Sequence, residues 1–306
     1  IQNLIQINPN EEIVTALVSI PDLTVDQYIV MATRRGEVKR MHLSQFANIR
    51  ANGLAAFDLN KGDSLLGSRL ADPDMSCIIV SRNGKAVHFA LEDVRVRQTR
   101  GAGGVRGIRL MGDDEVASMD VANDGAQLLI LTARGYGKRT IVDHFRKTGR
   151  GVQGVIALKI TDKTGPIAAA VITGAEVEEV MVGSSKAMVY RTAIREIRTL
   201  GRNTQGVQVM TKLQETDRVI SMSAFKERSW DTEEERMPKP VPKATAGGRR
   251  NGLSGQKDEV SGPPADEVVV DSVVAPTDPI DEPLPTGQLG FALEDEENDS
   301  NTDEPD

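Results

Sequence analysis

The feature that most constrains this chain is that it repeats itself about every 50 residues. An apolar strand runs into a turn, a second strand leaves it, and a linker follows that ends on a glycine preceding Val or Leu. The turn recurs as Thr33-Arg34-Arg35-Gly36, Ser81-Arg82-Asn83-Gly84, Thr132-Ala133-Arg134-Gly135 and Gly183-Ser184-Ser185-Lys186. The linker glycine recurs as Gly53, Gly104, Gly154 and Gly206. An arginine stands four residues before it in the last three copies (Arg100, Arg150, Arg202) and three before it in the first (Arg50). Two anchors holding one period identify an array of supersecondary units, none of which buries its apolar face alone.

Within a unit the apolar runs are short and rich in Val, Ile and Leu: Tyr28-Ile29-Val30-Met31, Val38-Lys39-Arg40-Met41, Leu54-Ala55-Ala56-Phe57 and Leu65-Leu66-Gly67. No stretch sustains a helical period, so the chain reads as all-β. Four strands per unit match a propeller blade. Full units occupy about 28–70, 77–121, 128–172 and 179–225. Upstream, Ile1 to Ile7 and Ile13 to Ile20 read as the third and fourth strands of an opening half-unit, as in a piece of a longer protein.

Composition changes near Phe225. Ten of the 14 prolines lie beyond it, and no apolar run there is longer than Val268-Val269-Val270. Such a segment buries too little apolar surface to offset its ordering entropy. The domains expected are therefore a folded 1–225 and a disordered acidic tail, 226–306. No signal peptide is evident and no apolar run nears the roughly 20 residues of a membrane span. Cys77, alone in the run Cys77-Ile78-Ile79-Val80, reads as a buried thiol in a reducing cytoplasm.

Charge points to function. The net charge of −8 hides a division: residues 1–225 carry a net +5 and residues 226–306 a net −13. The windows 33–53, 81–109, 132–154 and 184–206 hold 23 of the 29 Lys and Arg of residues 1–225 but only 5 of its 24 Asp and Glu. Repetition about an axis would join these windows into one positive rim, the arrangement a polyanion needs. The candidate contacts in the first window are Arg34, Arg35, Lys39, Arg40 and Arg50, and in the second Arg82, Lys85, Arg97, Arg100 and Arg106. The third supplies Arg134, Lys138, Arg139, Arg146, Lys147 and Arg150, and the fourth Lys186, Arg191 and Arg202.

Duplex DNA fits this rim best, because phosphate contacts from Lys, Arg and open glycine turns supply affinity without base readout. Aromatics make up only 3% of the chain and sit mostly in strands, which disfavours stacking on single strands. His42, His88 and His144 fall in different units without metal-ligand spacing. Gly101-Ala102-Gly103-Gly104 lacks the Gly-Lys-Ser/Thr ending of a nucleotide loop.

These residues resemble the C-terminal domain of the DNA gyrase A subunit, a β-pinwheel. The resemblance is carried by Tyr28 through Arg40, by Gly104-Val105-Arg106-Gly107-Ile108-Arg109-Leu110, by Gly135-Tyr136-Gly137-Lys138-Arg139-Thr140 and by Leu200-Gly201-Arg202-Asn203-Thr204-Gln205-Gly206-Val207. It covers about 1–225 and implies DNA wrapping within a bacterial type IIA topoisomerase that introduces negative supercoils. It further implies two A and two B subunits, with ATP and Mg2+ used on other domains or on the gyrase B subunit, and no cofactor or catalytic residue in this chain. The family's Gln-Arg-Arg-Gly-Gly-Lys-Gly box has only degenerate echoes here, Gln98 to Gly104 and Arg150 to Gly154. Tyr28, Tyr136 and Tyr190 match no cleavage motif. The related domain of topoisomerase IV and a protein-binding propeller are the alternatives. The tail's net −13 against the windows' net +18 also suggests a tail that competes with DNA for the rim.

Overall fold

The computed structural model describes residues 14–20, 22–48, 53–211 and 213–225. The tail expected at 226–306 and the strand expected at Ile1 to Ile7 lie outside them.

The described chain is all-β, with fifteen strands in four sheets and four one-turn 3-10 helices. The first sheet holds β1 (Tyr28–Thr33), β2 (Glu37–His42), β3 (Leu65–Ala71) and β6 (Val105–Arg106) in the order β3-β1-β2-β6. The second is β7-β4-β5-β10, from β4 (Ser76–Ser81), β5 (Lys85–Ala90), β7 (Val116–Ala122) and β10 (Val155–Ile156). The third is β11-β8-β9-β14, from β8 (Gln127–Thr132), β9 (Tyr136–Ile141), β11 (Ile167–Thr173) and β14 (Val207–Gln208). The fourth has three strands, β15-β12-β13, from β12 (Glu179–Ser184), β13 (Val189–Ala193) and β15 (Val219–Phe225).

The strands β3, β7, β11 and β15 pack beside one another in that order. They form the inner edges of four propeller-like blades, and β6, β10 and β14 form the outer edges. One buried ion pair ties the inner edges together. Arg69 Nε of β3 donates to Asp120 Oδ1 of β7 at 3.0 Å, and Asp120 Oδ2 accepts from Ile172 N of β11 at 2.8 Å.

Burial explains why the middle strands read as unbroken apolar runs rather than alternating ones. Cys77 and Ile79 pack with Val30, Ala32 and Val38 of the first blade, while Ile78 and Val80 pack with Leu128 and Ile130 of the third. Leu129 and Leu131 in turn meet Val180, Val182 and Met222 of the fourth. Each inner blade is thus apolar on both faces, and burying one such side chain contributes about 1.5–3 kcal/mol.

The third strand of each unit is not where the sequence placed it. Val105-Arg106, Val155-Ile156 and Val207-Gln208 pair antiparallel with β2, β5 and β9, the blade before their own. Each unit therefore completes its predecessor's sheet. Leu54 to Phe57, which occupies the same place in the first unit, forms no strand. Val14 to Ile20 also forms no strand, in contrast to the expectation for Ile13 to Ile20.

The turns share a device that alignment on glycine misplaces once. The hydroxyl of Thr33, Ser81, Thr132 or Ser184 accepts the backbone N–H four residues on. Gly36, Gly84 and Gly135 take positive φ at the turn, and in the fourth copy Ala187 does so at φ 58°. The fourth turn is therefore Ser184-Ser185-Lys186-Ala187, one residue later than Gly183-Ser184-Ser185-Lys186. Among the described residues no helix is long and apolar enough to cross a membrane.

Candidate nucleic-acid interface

The linkers run along the outer edges of the blades. Arg40 bridges in parallel to Val96, His88 to Lys147 and Arg139 to Thr199, before each linker turns back to deliver its two-residue strand. Successive linkers are also joined to each other. Gly151 N donates to Gly107 O at 2.6 Å, Arg109 N to Val152 O at 2.9 Å, and Lys159 N to Thr204 O at 3.0 Å. The result is a hydrogen-bonded belt around the outside of the blades.

Two linker arginines reinforce this belt. Arg150 Nη1 donates to Arg106 O at 3.3 Å and Arg202 Nη1 to Ile156 O at 3.2 Å, each reaching back to the preceding linker's donated strand. Arg100 instead donates to Gln45 O at 2.9 Å.

Three stretches of the belt contain no acid, although Asp58 of the first linker donates its N–H to Ala102 O at 3.4 Å and Asp124 pairs with Lys147 at 3.3 Å. Residues 94–112, 144–161 and 197–214 include neither Asp nor Glu. Arg106, Arg146, Lys147 and Arg150 are exposed along it, and Arg97, Arg100 and Arg202 are half-buried. Arg95, Arg109, Arg195 and Arg198 are exposed on the same linkers and their flanks, and were not singled out from the sequence. They share the charge windows of their neighbours, and that was the available signal.

The hairpin turns form a second basic group, set among acids. Arg34 and Arg82 stand 3.9 and 4.0 Å from Glu115. Arg35 N and Lys186 N donate to Asp63 and Asp217, each at 3.0 Å. Arg134 is exposed, Lys85 is half-buried, and Arg191 is ion-paired with Glu179. The carboxylate of Asp217, held by Ser184, Ser185 and two backbone N–H groups, lies below the usual range because those bonds outweigh its burial. The turns thus carry cations whose field is partly neutralised, and on the belt Lys147 is likewise paired, with Asp124 at 3.3 Å.

Lys39, Lys138 and Arg40 are buried, and Arg139 is half-buried. Lys138 Nζ donates to the carbonyls of Gly201 (2.7 Å), Arg202 (2.5 Å) and Thr204 (3.2 Å). Lys39 Nζ donates to Ala56 O (2.8 Å) and Ala102 O (2.7 Å), and to Arg100 O. Each ammonium sits inside the loop of the next unit's linker and holds it in shape. Burial, with Arg202 nearby, pushes Lys138 down to about 8. Burial likewise lowers Lys39, helped by Arg97. In the second blade Val87 takes this place. Arg50 lies outside the described residues.

The opposite end of the blades is acidic. The loops between units carry Asp72 and Asp74, Asp124, and Glu176 with Glu178. A cavity of about 500 Å³ opens at the inner strands between Leu17, Ser68, Asp120 and Glu176.

A family model described as the DNA gyrase C-terminal domain, beta-propeller, matches four times, over residues 27–72, 76–123, 126–173 and 178–226. The DNA gyrase A subunit of Dehalogenimonas lykanthroporepellens is 40% identical over 231 residues, 74% of this chain and 28% of that protein. Its Salmonella typhimurium counterpart is 35% identical over 233 residues, 76% of this chain and 26% of its own. The chain thus spans about a quarter of the length of these relatives. A solved DNA gyrase A C-terminal domain superposes with a TM-score of 0.66 at 28% identity, over 73% of this chain and 74% of that one. A C-terminal domain of DNA topoisomerase IV gives 0.65 at 25% identity, over 73% and 69%.

Proposed function

The chain belongs to the family of the DNA gyrase C-terminal domain, a β-pinwheel related to that of topoisomerase IV, and on that premise we propose that it wraps duplex DNA along its linker belt. The observation that carries this reading is the hydrogen-bonded outer belt with exposed arginines, whose stretches 94–112, 144–161 and 197–214 contain no Asp or Glu. Bending 20–30 bp by 40–90° costs about 1–6 kcal/mol, so wrapping requires many phosphate contacts spread along a curve rather than one strong site. A belt that repeats its cations in three successive linkers and fixes Arg100, Arg150 and Arg202 by hydrogen bonds to backbone carbonyls meets that requirement.

In the whole protein this wrap would feed strand passage by a type IIA topoisomerase of two A and two B subunits. ATP hydrolysis on the B subunit, with Mg2+, would drive negative supercoiling in the bacterial cytoplasm. DNA cleavage would belong to another part of the longer chain. Identity to the curated gyrase relatives favours gyrase over the topoisomerase IV reading, in which decatenation would dominate.

The test is the salt dependence of binding to duplex DNA together with the linking-number change left in a nicked circle resealed with the chain bound. Each phosphate neutralised adds about 0.9 to the slope of log K against log salt. A flat salt profile, or resealed circles indistinguishable from free DNA, would overturn the proposal.

A further inference from the structure

Three blades receive a fourth strand from the next unit, and the fourth blade, among the described residues, does not. Its outer strand β13 pairs only with β12. The consequence is visible in burial: Val189 is 64% exposed, whereas Val38 and Ala86, its counterparts beneath a donated strand, are 0% and 1% exposed. Met188 beside it is 60% exposed. An unpaired strand edge with apolar side chains is a template for another strand.

The completed blades state what that strand must look like. Val105 lies opposite Val38, Val155 opposite Ala86 and Val207 opposite Gly137. A glycine precedes each, and a Cβ on Gly104, Gly154 or Gly206 would lie 3.0, 2.2 or 2.6 Å from the carbonyl oxygen of that same opposing residue. The occupant must therefore read glycine followed by an aliphatic residue. Of the seven glycines in 226–306, only Gly252 precedes an aliphatic residue. Its surroundings, Arg249-Arg250-Asn251-Gly252-Leu253-Ser254, repeat Arg50-Ala51-Asn52-Gly53-Leu54-Ala55 of the first linker. It follows Gly206 by 46 residues, where earlier linker glycines are 50 to 52 apart.

We propose that Gly252-Leu253 is a fifth donated strand, which adds antiparallel to β13 with Leu253 opposite Val189. The reach is sufficient. Phe225 and Ala193 both pair with Glu179, so β15 ends level with the C-terminal end of β13. A coil of the 27 residues from Phe225 to Gly252 spans roughly 30 Å, and β13 lies two strand spacings away, roughly 10 Å. Docking covers Val189 and Met188. It also brings Arg249 and Arg250 to the belt beside Gln208, as Arg150 and Arg202 reach Arg106 and Ile156. This inference rests on strand pairing and not on the DNA reading.

The experiment uses the full chain with Val189→Cys and Leu253→Cys under mild oxidation. Cys77 is fully buried and leaves the engineered pair as the reactive thiols. The expected product is a cross-link within one chain, at several times the yield of a Val189→Cys, Val269→Cys control. Separately, Gly252→Val in the otherwise unaltered chain should speed amide exchange at residues 188–190 about tenfold, since an effective concentration in the millimolar range holds a tethered strand in place. Cross-links that form only between chains would assign the edge to a second copy and overturn the proposal. Absence of cross-linking, yields equal to the control, or unchanged exchange in Gly252→Val would overturn it as well.

Discussion

Replacing Lys138 by Met keeps the apolar stem and removes the ammonium, which isolates what the ammonium does. Its three carbonyl partners, on Gly201, Arg202 and Thr204, lie at 2.5 to 3.2 Å, with Thr204 Oγ1 at 3.1 Å. Hydrogen bonds involving a charged group contribute about 1.5–3 kcal/mol each, so three amount to about 4–9 kcal/mol. Against this stands the lost hydration of the ammonium. The fall from 10.5 to about 8, caused by burial and by Arg202 nearby, puts burial and repulsion together at about 3 kcal/mol. A net loss of about 3 kcal/mol is expected, or about 6–12 °C in the melting temperature of a domain this size. The assay is thermal unfolding followed by circular dichroism, with amide exchange at 200–206 to locate the loss. Lys159→Met, at an exposed lysine, is the control and should stay within about 0.5 kcal/mol. If Lys138→Met melts within about 1–2 °C of that control, the idea of an internal cation organising the linker is refuted.

The other predictions concern charge, geometry and protonation. Arg146→Ala and Arg106→Ala should each lower the salt slope of duplex binding by about 0.9, whereas Lys138→Met should leave it unchanged; equal slopes for all three would undo the separation of belt from interior. Gly154→Ala should cost about 2–4 kcal/mol, since its φ is +78° and a Cβ would lie 2.2 Å from Ala86 O. Gly149→Ala, with nothing within 4 Å, should be near neutral in the same denaturant titration. The Lys138 13Cε resonance should titrate near 8. Its folded pKa lies below the unfolded value, so the unfolded chain holds more protons between about 8 and 10.5 and this group makes stability rise with pH across that window. A midpoint at or above 10 would contradict the burial. Cys77, whose thiol burial pushes far up, should resist thiol reagents until the chain unfolds.

The blades were legible because Cys77-Ile78-Ile79-Val80 and Leu128 through Leu131 are apolar on both faces, and nothing else in the chain competes with them. The donated strands were not, because two residues such as Val105-Arg106 carry no periodicity, and pairing with a neighbour leaves no mark within the unit. The mark they do leave is the glycine before them, forced by a recipient carbonyl that appears only in three dimensions. The fourth turn slipped by one residue because Ala187 stands where the other copies have glycine. Aligning the hydroxyls of Thr33, Ser81, Thr132 and Ser184 would have set it correctly. Lys39 and Lys138 counted toward the rim because a sequence does not distinguish a cation in water from one ringed by carbonyls. The belt itself emerged as the acid-free part of windows whose other part, the turns, interleaves with Glu115, Asp63 and Asp217.

The exchange of outer strands also governs how the molecule is made. On the ribosome, β2 acquires its last partner only once Val105-Arg106 has emerged, more than 60 residues later. At about 5–20 residues per second this delay lasts several seconds, during which an apolar margin faces the cytosol of whatever cell makes it. The first three blades pass through that interval in turn, so slow codons or a holding chaperone would matter most just ahead of each glycine that opens a donated strand.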